Sequence, residues 1–366
     1  MAIKNLYKLF LIIYFSILFF YCHLISINYN QINTEENIYK FSFILFISTF
    51  IVGFKLISFN KNSINLVVTY VLFWISCMVS MRFNHEFKIE ILVVYLVMPV
   101  IILLNQRIYS NFNLFLMSGA ISILPLIYTV QSSNTFGLLI ALGFVCFFIA
   151  FTKKENIYLM MWILPIALYY IYLTGSRTTL LSFVIFISFY FIYFLRKRRL
   201  TYFNFLLNII FLIFLVIFSI PIVNKFIELI FHKRSNTGNN FLADRQIFWE
   251  GTIKYGIKAW GNGKDFFVEY FSIGDSHNLF IEILGIYGMI PLILFIIFLF
   301  NIARSIFVQS SFLNYKAFYF FSYFFLTSLT ENLFFIYNRL IVYHFIFLIF
   351  VSYIINRQNK LEDEIK

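Results

Sequence analysis

The 366-residue chain is 61% hydrophobic and only 12% charged, with a formal net charge of +12, whereas soluble domains have about a quarter of their residues charged. This excludes an ordinary water-soluble domain and a disordered chain, and it points to a protein that folds in lipid. The surplus of positive charge is read as loops meeting anionic lipid, so no nucleic-acid partner is expected.

Mostly apolar runs of roughly 18 to 23 residues recur along the chain, each long enough to cross a hydrocarbon core of about 30 Å as a helix. In order they fall at 7–28, 41–58, 64–81, 89–106, 112–130, 134–152, 156–173, 178–195, 201–223, 285–303, 315–331 and 335–355. Strands are excluded despite the many Phe, Tyr and Ile residues, because an open sheet edge in lipid leaves backbone groups unpaired and barrels show period-2 segments. The expected fold is an all-α polytopic membrane protein of about 12 transmembrane helices, a single membrane domain over 1–366.

The first run, rich in Tyr, Phe and Leu, has no small-residue cleavage site after it and is expected to remain as a span. With both termini cytoplasmic, the inside segments hold 16 of the 28 basic residues, including the run Arg196 to Arg199. The short outside segments keep only Lys40, Arg82, Lys88, Arg177 and Arg339, as the positive-inside rule requires. Cys22, Cys77 and Cys146 all fall in apolar runs, with no pairing pattern and no Cys/His cluster, so neither a disulfide framework nor a metal site is expected.

Between the ninth and tenth runs, residues 224–276 form a large external loop rich in aromatic residues and glycine. A loop of that length in a compact protein is usually ordered and functional. Asp244 is positioned to cap a helix reaching about Tyr255, with Ile247, Phe248, Gly251 and Tyr255 on one face, as for a helix lying along a membrane surface. Gly261, Asn262 and Gly263 then read as a turn.

Three side chains stand out. Arg177 lies at the outer mouth of the eighth run, against the charge bias, between Ser176 and Thr178, either of which is suited to cap the helix. A helix N-terminus beside a guanidinium is an anion site, although an interfacial Arg that snorkels to headgroups has the same sequence. Arg245 is either a second phosphate ligand or a solvated partner of Asp244 and Glu250. His277, in Asp275-Ser276-His277-Asn278, sits where the loop meets an apolar helix beginning at Leu279, as a base or as an interfacial cap. Glu331 and Arg339, near the outer ends of the last two runs, are further candidates, because an ionisable residue at membrane depth is functional by default.

Taken in order, Gly175 to Arg177, Arg245 with Trp249, Gly261 with Gly263, and His277 with Asn278 followed by Gly285 and Gly288 resemble the O-antigen ligase and polymerase family of integral-membrane glycosyltransferases. The resemblance implies a GT-C-like helical fold in the cytoplasmic (inner) membrane. It also implies transfer of a glycan from an undecaprenyl-pyrophosphate-linked oligosaccharide to an acceptor glycan on the outer face, with inversion at C1 and without metal or cofactor. A chain-length regulator is implied as a partner, besides membrane lipid.

In that chemistry Arg177 and Arg245 hold the pyrophosphate, because guanidinium binds phosphate oxygens in a bidentate way. His277 accepts the hydroxyl proton, with Asp275 either orienting the imidazole or capping the helix. A repeat-unit polymerase is preferred; a ligase that transfers glycan to the lipid A core carries the same motifs. Two other classes stay open. A lipid-linked-sugar flippase would show ionisable residues deep in several spans, and a membrane scaffold would leave His277 and both arginines replaceable.

Overall fold

The computed structural model describes residues 2–27, 43, 47, 61–105, 112–128, 133–151, 157–197, 245–273, 276–307, 315–331, 344 and 346–355. Every regular element among them is helical. Helices Ala2–Ile27, Lys61–Phe83, Asn134–Ala150, Ile157–Leu173, Arg177–Lys197, Met289–Phe307 and Tyr315–Ser328 stand on apolar runs of the sequence. Two of them, over Ile64–Phe83 and Met289–Phe307, are long and apolar enough to cross a membrane, while the other described apolar helices have shorter apolar stretches. The runs 201–223 and, apart from two residues, 41–58 lie outside the described residues, as do 224–244 of the loop.

The chain divides into two compact units, one of Met1–Ser118 with Ile247–Lys366 and the other of Gly119–Gln246. In the first, Lys61–Phe83 packs along Met289–Phe307 through aromatic pairs, Phe73 on Phe295 at 5.0 Å and Tyr70 on Phe298 at 5.6 Å between ring centroids. Each helix presents an exposed apolar stripe on its other side: Ile64, Val68, Leu72 and Ile75 on one, Ile293, Ile297 and Phe300 on the other. Spacings of three and four residues put each set on one helix face.

The helix Ile89–Leu104 shows how this unit treats a backbone defect. It contains a π-helical turn, Val93–Val97, followed by Pro99. Proline has no N–H to return to the carbonyl four residues earlier, that of Tyr95. The buried hydroxyl of Tyr70 donates to that carbonyl at 3.1 Å, so the gap is filled from the neighbouring helix. Around it Tyr70, Trp74, Tyr95 and His344 are all buried.

The second unit is built around Asn134–Ala150, whose side chains are buried nearly all the way round from Thr135 to Ile149. The helix starts on Ser133, whose hydroxyl accepts Phe136 N at 3.2 Å, the usual way to satisfy a free first-turn amide. Phe148 meets Phe183 and Tyr190 of Arg177–Lys197. Cys77 in the first unit and Cys146 in the second are buried free thiols.

Candidate functional site

The tenth apolar run is not one helix. Leu279–Glu282 continues into a π-helical turn, Ile283–Tyr287, and stops at Gly288, where φ is +99°; a new helix begins at Met289. The predicted span 285–303 is therefore corrected: Gly285 belongs to a short segment in front of the span. A break of this kind strands the last carbonyls of one helix and the first amides of the next, and at membrane depth such groups must find partners in protein.

The stretch 258–263 supplies them. Lys258 O accepts Met289 N at 2.9 Å and Ala259 O accepts Ile290 N at 3.2 Å, while Pro291 has no amide to satisfy. In the other direction Asn262 donates its amide to Gly285 O at 3.1 Å and Gly263 donates its amide to Ile286 O at 3.1 Å. The Asn262 side chain bridges Gly256 O and Gly285 O, at 2.9 Å each. A Cβ on Gly288 would collide with the backbone of Gly261 and Ala259. Gly-Asn-Gly thus clasps the carbonyls of the first half of the broken helix, and Lys258 and Ala259 take the first amides of the second half, which leaves no anion site at those amides.

The clasp is anchored at the end of Lys61–Phe83. Trp260 O accepts Ser80 Oγ at 2.7 Å, and its ring stacks on Phe83 at 5.7 Å. Lys264 N donates to Glu86 Oε1 at 2.8 Å. Burial raises the Glu86 carboxyl above its usual range, against the lowering effect of Lys264.

His277 stands directly before the first half of the broken helix with φ +51°. The other described non-glycine residues at positive φ, His85 and Ser272, follow helix ends, where a left-handed residue is routine. His277 precedes a helix, and its conformation is held from both sides. Ser276 donates its amide to the buried carboxylate of Glu282 at 2.7 Å and its hydroxyl to Asn278 O at 2.8 Å. Trp249 Nε1 donates to Ser276 O at 3.0 Å. Asn278 caps the helix, its Oδ1 accepting Phe280 N at 2.9 Å and Ile281 N at 3.1 Å, and its Nδ2 donates to Leu329 O at 2.9 Å. Two residues beyond that carbonyl, Glu331 Oε2 lies 3.5 Å from His277 Nδ1.

His277, Asn278 and Glu331 are therefore brought together, with Trp249 behind them. Asp275 and Arg339 lie outside the described residues. Arg245 is the first residue of the helix Arg245–Tyr255, half-buried and four residues before Trp249, hence on its face. On that helix Ile247, Phe248, Gly251 and Tyr255 share one face, with Phe248 and Gly251 against Phe271 and Ile247 and Tyr255 exposed. Phe271, in a short helix the sequence reading did not anticipate, decides which side turns inward.

Arg177 is the first residue of Arg177–Lys197, half-buried, in the unit Gly119–Gln246. Ser176 is buried, its hydroxyl 2.7 Å from Thr179 Oγ1. A Cβ on Gly137 would stand 2.6 Å from Ser176 Cβ, so this residue is wedged between helices. The reading from sequence missed Glu282; its signal was a lone carboxylate inside the apolar stretch Leu279 to Tyr287. The chain matches no protein-family model and no curated protein.

Proposed function

We propose that this protein is a polytopic inner-membrane glycosyltransferase, a polysaccharide repeat-unit polymerase. It draws glycan from an undecaprenyl-pyrophosphate donor and transfers it to a sugar hydroxyl on the outer face of the membrane. The observation that carries the reading is His277: a non-glycine residue in the left-handed region, facing a buried carboxylate and held by Ser276, Asn278, Glu282 and Trp249. Backbone strain of about 1–3 kcal/mol persists where surrounding structure over-determines it, and it concentrates at functional sites.

Exposed apolar stripes on Lys61–Phe83 and Met289–Phe307 support lipid as the surrounding solvent, because water would penalise a whole helix face of Ile, Leu and Phe. The remaining apolar runs complete the set of about 12 spans. The pattern of Arg245, Trp249, His277 and Asn278 supports the enzyme class.

The reaction balances with these groups. The acceptor oxygen forms a bond to C1 of the donor sugar while the C1–O bond to pyrophosphate breaks, and the leaving pyrophosphate takes the electron pair. The hydroxyl proton passes to the imidazole of His277. Charge growing on the pyrophosphate oxygens calls for guanidinium partners, the role the motif resemblance gives to Arg177 and Arg245. Attack opposite the leaving group inverts C1.

The test is the glycan profile of a deletion strain carrying wild type or His277→Ala at matched membrane abundance. A polymerase deletion leaves single repeat units, and His277→Ala fails to restore the ladder, turnover falling about 10²- to 10⁴-fold. Long chains that accumulate on the lipid carrier instead identify a ligase. A full ladder from His277→Ala rejects the catalytic reading in favour of a flippase or scaffold.

A further inference from the structure

The His277 imidazole has two edges in different surroundings. Its Nδ1 is out of contact with solvent, while the side chain as a whole is 35% exposed, so the exposure belongs to the rest of the side chain. The buried edge faces Glu331, a carboxylate with only 7% of its side chain exposed, at 3.5 Å. A carboxylate that buried is stable beside a group that donates to it or carries positive charge.

The two residues are tied through one side chain. Asn278, adjacent to His277, donates its amide nitrogen to Leu329 O, two residues before Glu331. Glu331 N in turn donates to Thr327 O at 2.9 Å, continuing the helical path of Tyr315–Ser328. Other charged residues on the described elements around His277 are Glu282, on the helix that follows it, Arg245, Glu250 and Lys254, on the tryptophan-bearing helix, and Lys316, at the far end of Tyr315–Ser328. Glu282 is engaged by Ser276 N, and Glu250 is exposed.

We propose that Glu331 is the positioning residue for His277: its carboxylate holds the Nδ1–H tautomer and leaves Nε2 as the proton acceptor. This rests on the general-base reading above. The separation of 3.5 Å is long for a hydrogen bond, and such bonds tighten when substrate fills a site. Asp275, which the sequence offers as orienting group or as cap, lies outside the described residues.

The experiment is a nitrogen NMR titration of isotope-labelled histidine in the full chain in lipid nanodiscs, with the His277 signal identified by its loss in His277→Gln. Glu331→Gln, isosteric but uncharged, should lower the His277 pKa by about 0.5–1 unit and shift the tautomer away from Nδ1–H. The acidic limb of kcat/KM against pH should move down by the same amount, with donor KM little changed. Glu331→Asp should recover part of both shifts, which a merely structural role would not produce. An imidazole with the same pKa and tautomer in wild type and Glu331→Gln overturns the proposal. If the imidazole moves as expected while turnover survives His277→Ala, the pairing stands and the base role is what fails.

Discussion

Two apolar stretches of this chain, Asn134–Ala150 and Leu279–Phe307, read alike in sequence and differ in what they do with their backbone. The first is one unbroken helix that starts on a serine cap, satisfies its own amides and carbonyls, and is buried in side chains on every side. The second passes through a π turn and breaks at Gly288, so its free backbone groups must be met by Lys258, Ala259, Asn262 and Gly263 from another segment. Recruiting that segment seals the junction, while His277, Asn278 and Glu331 are held together at the other end of its first half. The continuous helix makes a scaffold; the interrupted one makes a place where polar side chains are held.

The sharpest way to break this comparison is Gly288→Ala. At φ +99° an added Cβ is strained, and it meets the Gly261 and Ala259 backbone; the loss should exceed about 4 kcal/mol and appear as little folded protein after detergent extraction. Leu139→Ala, at a fully buried position of the intact helix, should lower stability by about 2–5 kcal/mol yet keep normal turnover per folded molecule. Equal turnover losses in the two variants would abolish the distinction between scaffold and junction.

Asn278→Ala sharpens the comparison at smaller energy. It frees the Phe280 and Ile281 amides and the Leu329 carbonyl, so thermal unfolding should show a loss of about 1–2 kcal/mol. Turnover should fall by more than that stability loss explains, because the same side chain sets the spacing of His277 and Glu331. A turnover that merely tracks abundance would reduce Asn278 to a cap.

The smallest effect is at Glu86. Burial raises its carboxyl above the ordinary value of 4.5, so the folded state binds the proton more tightly than the unfolded one. Stability from this group is therefore fully present below the ordinary value and is lost as pH rises through the raised one. Glu86→Gln keeps an acceptor for Lys264 N and should flatten that decline in mildly acidic buffer, a change of less than about 1 kcal/mol because the group is partly solvated. Unfolding midpoints of the two proteins across that range make the check.

Helices were legible because hydropathy counts side chains, and the apolar runs at 64–81, 134–152 and 178–195 correspond to helices within a few residues. The break at Gly288 was not, because Ile-Leu-Gly-Ile-Tyr-Gly-Met-Ile is apolar throughout and hydrogen-bond register leaves no trace in hydropathy. At the site, His277 and Asn278 were legible as polar residues at the start of an apolar run. Glu331 was legible as an ionisable residue, but its pairing with His277 was not, since the partners lie far apart in the chain and only the fold brings them together. The inward turn of Phe248 was hidden for a similar reason: Phe271, which receives it, arrives from a separate short helix.

The bond from Ser80 to Trp260 spans 180 residues, and that from Lys264 to Glu86 spans 178. At about 5–20 residues per second, a ribosome needs roughly 10–35 seconds to make the stretch between them. Throughout that interval the first unit has at most its leading half, and all of Gly119–Gln246 is made before it closes. The helix Lys61–Phe83 must wait with Ser80 and Glu86 unmated. A nascent chain arrested between Gln246 and Trp260 therefore presents quality-control proteases with a fully synthesised second unit and an unsealed first one.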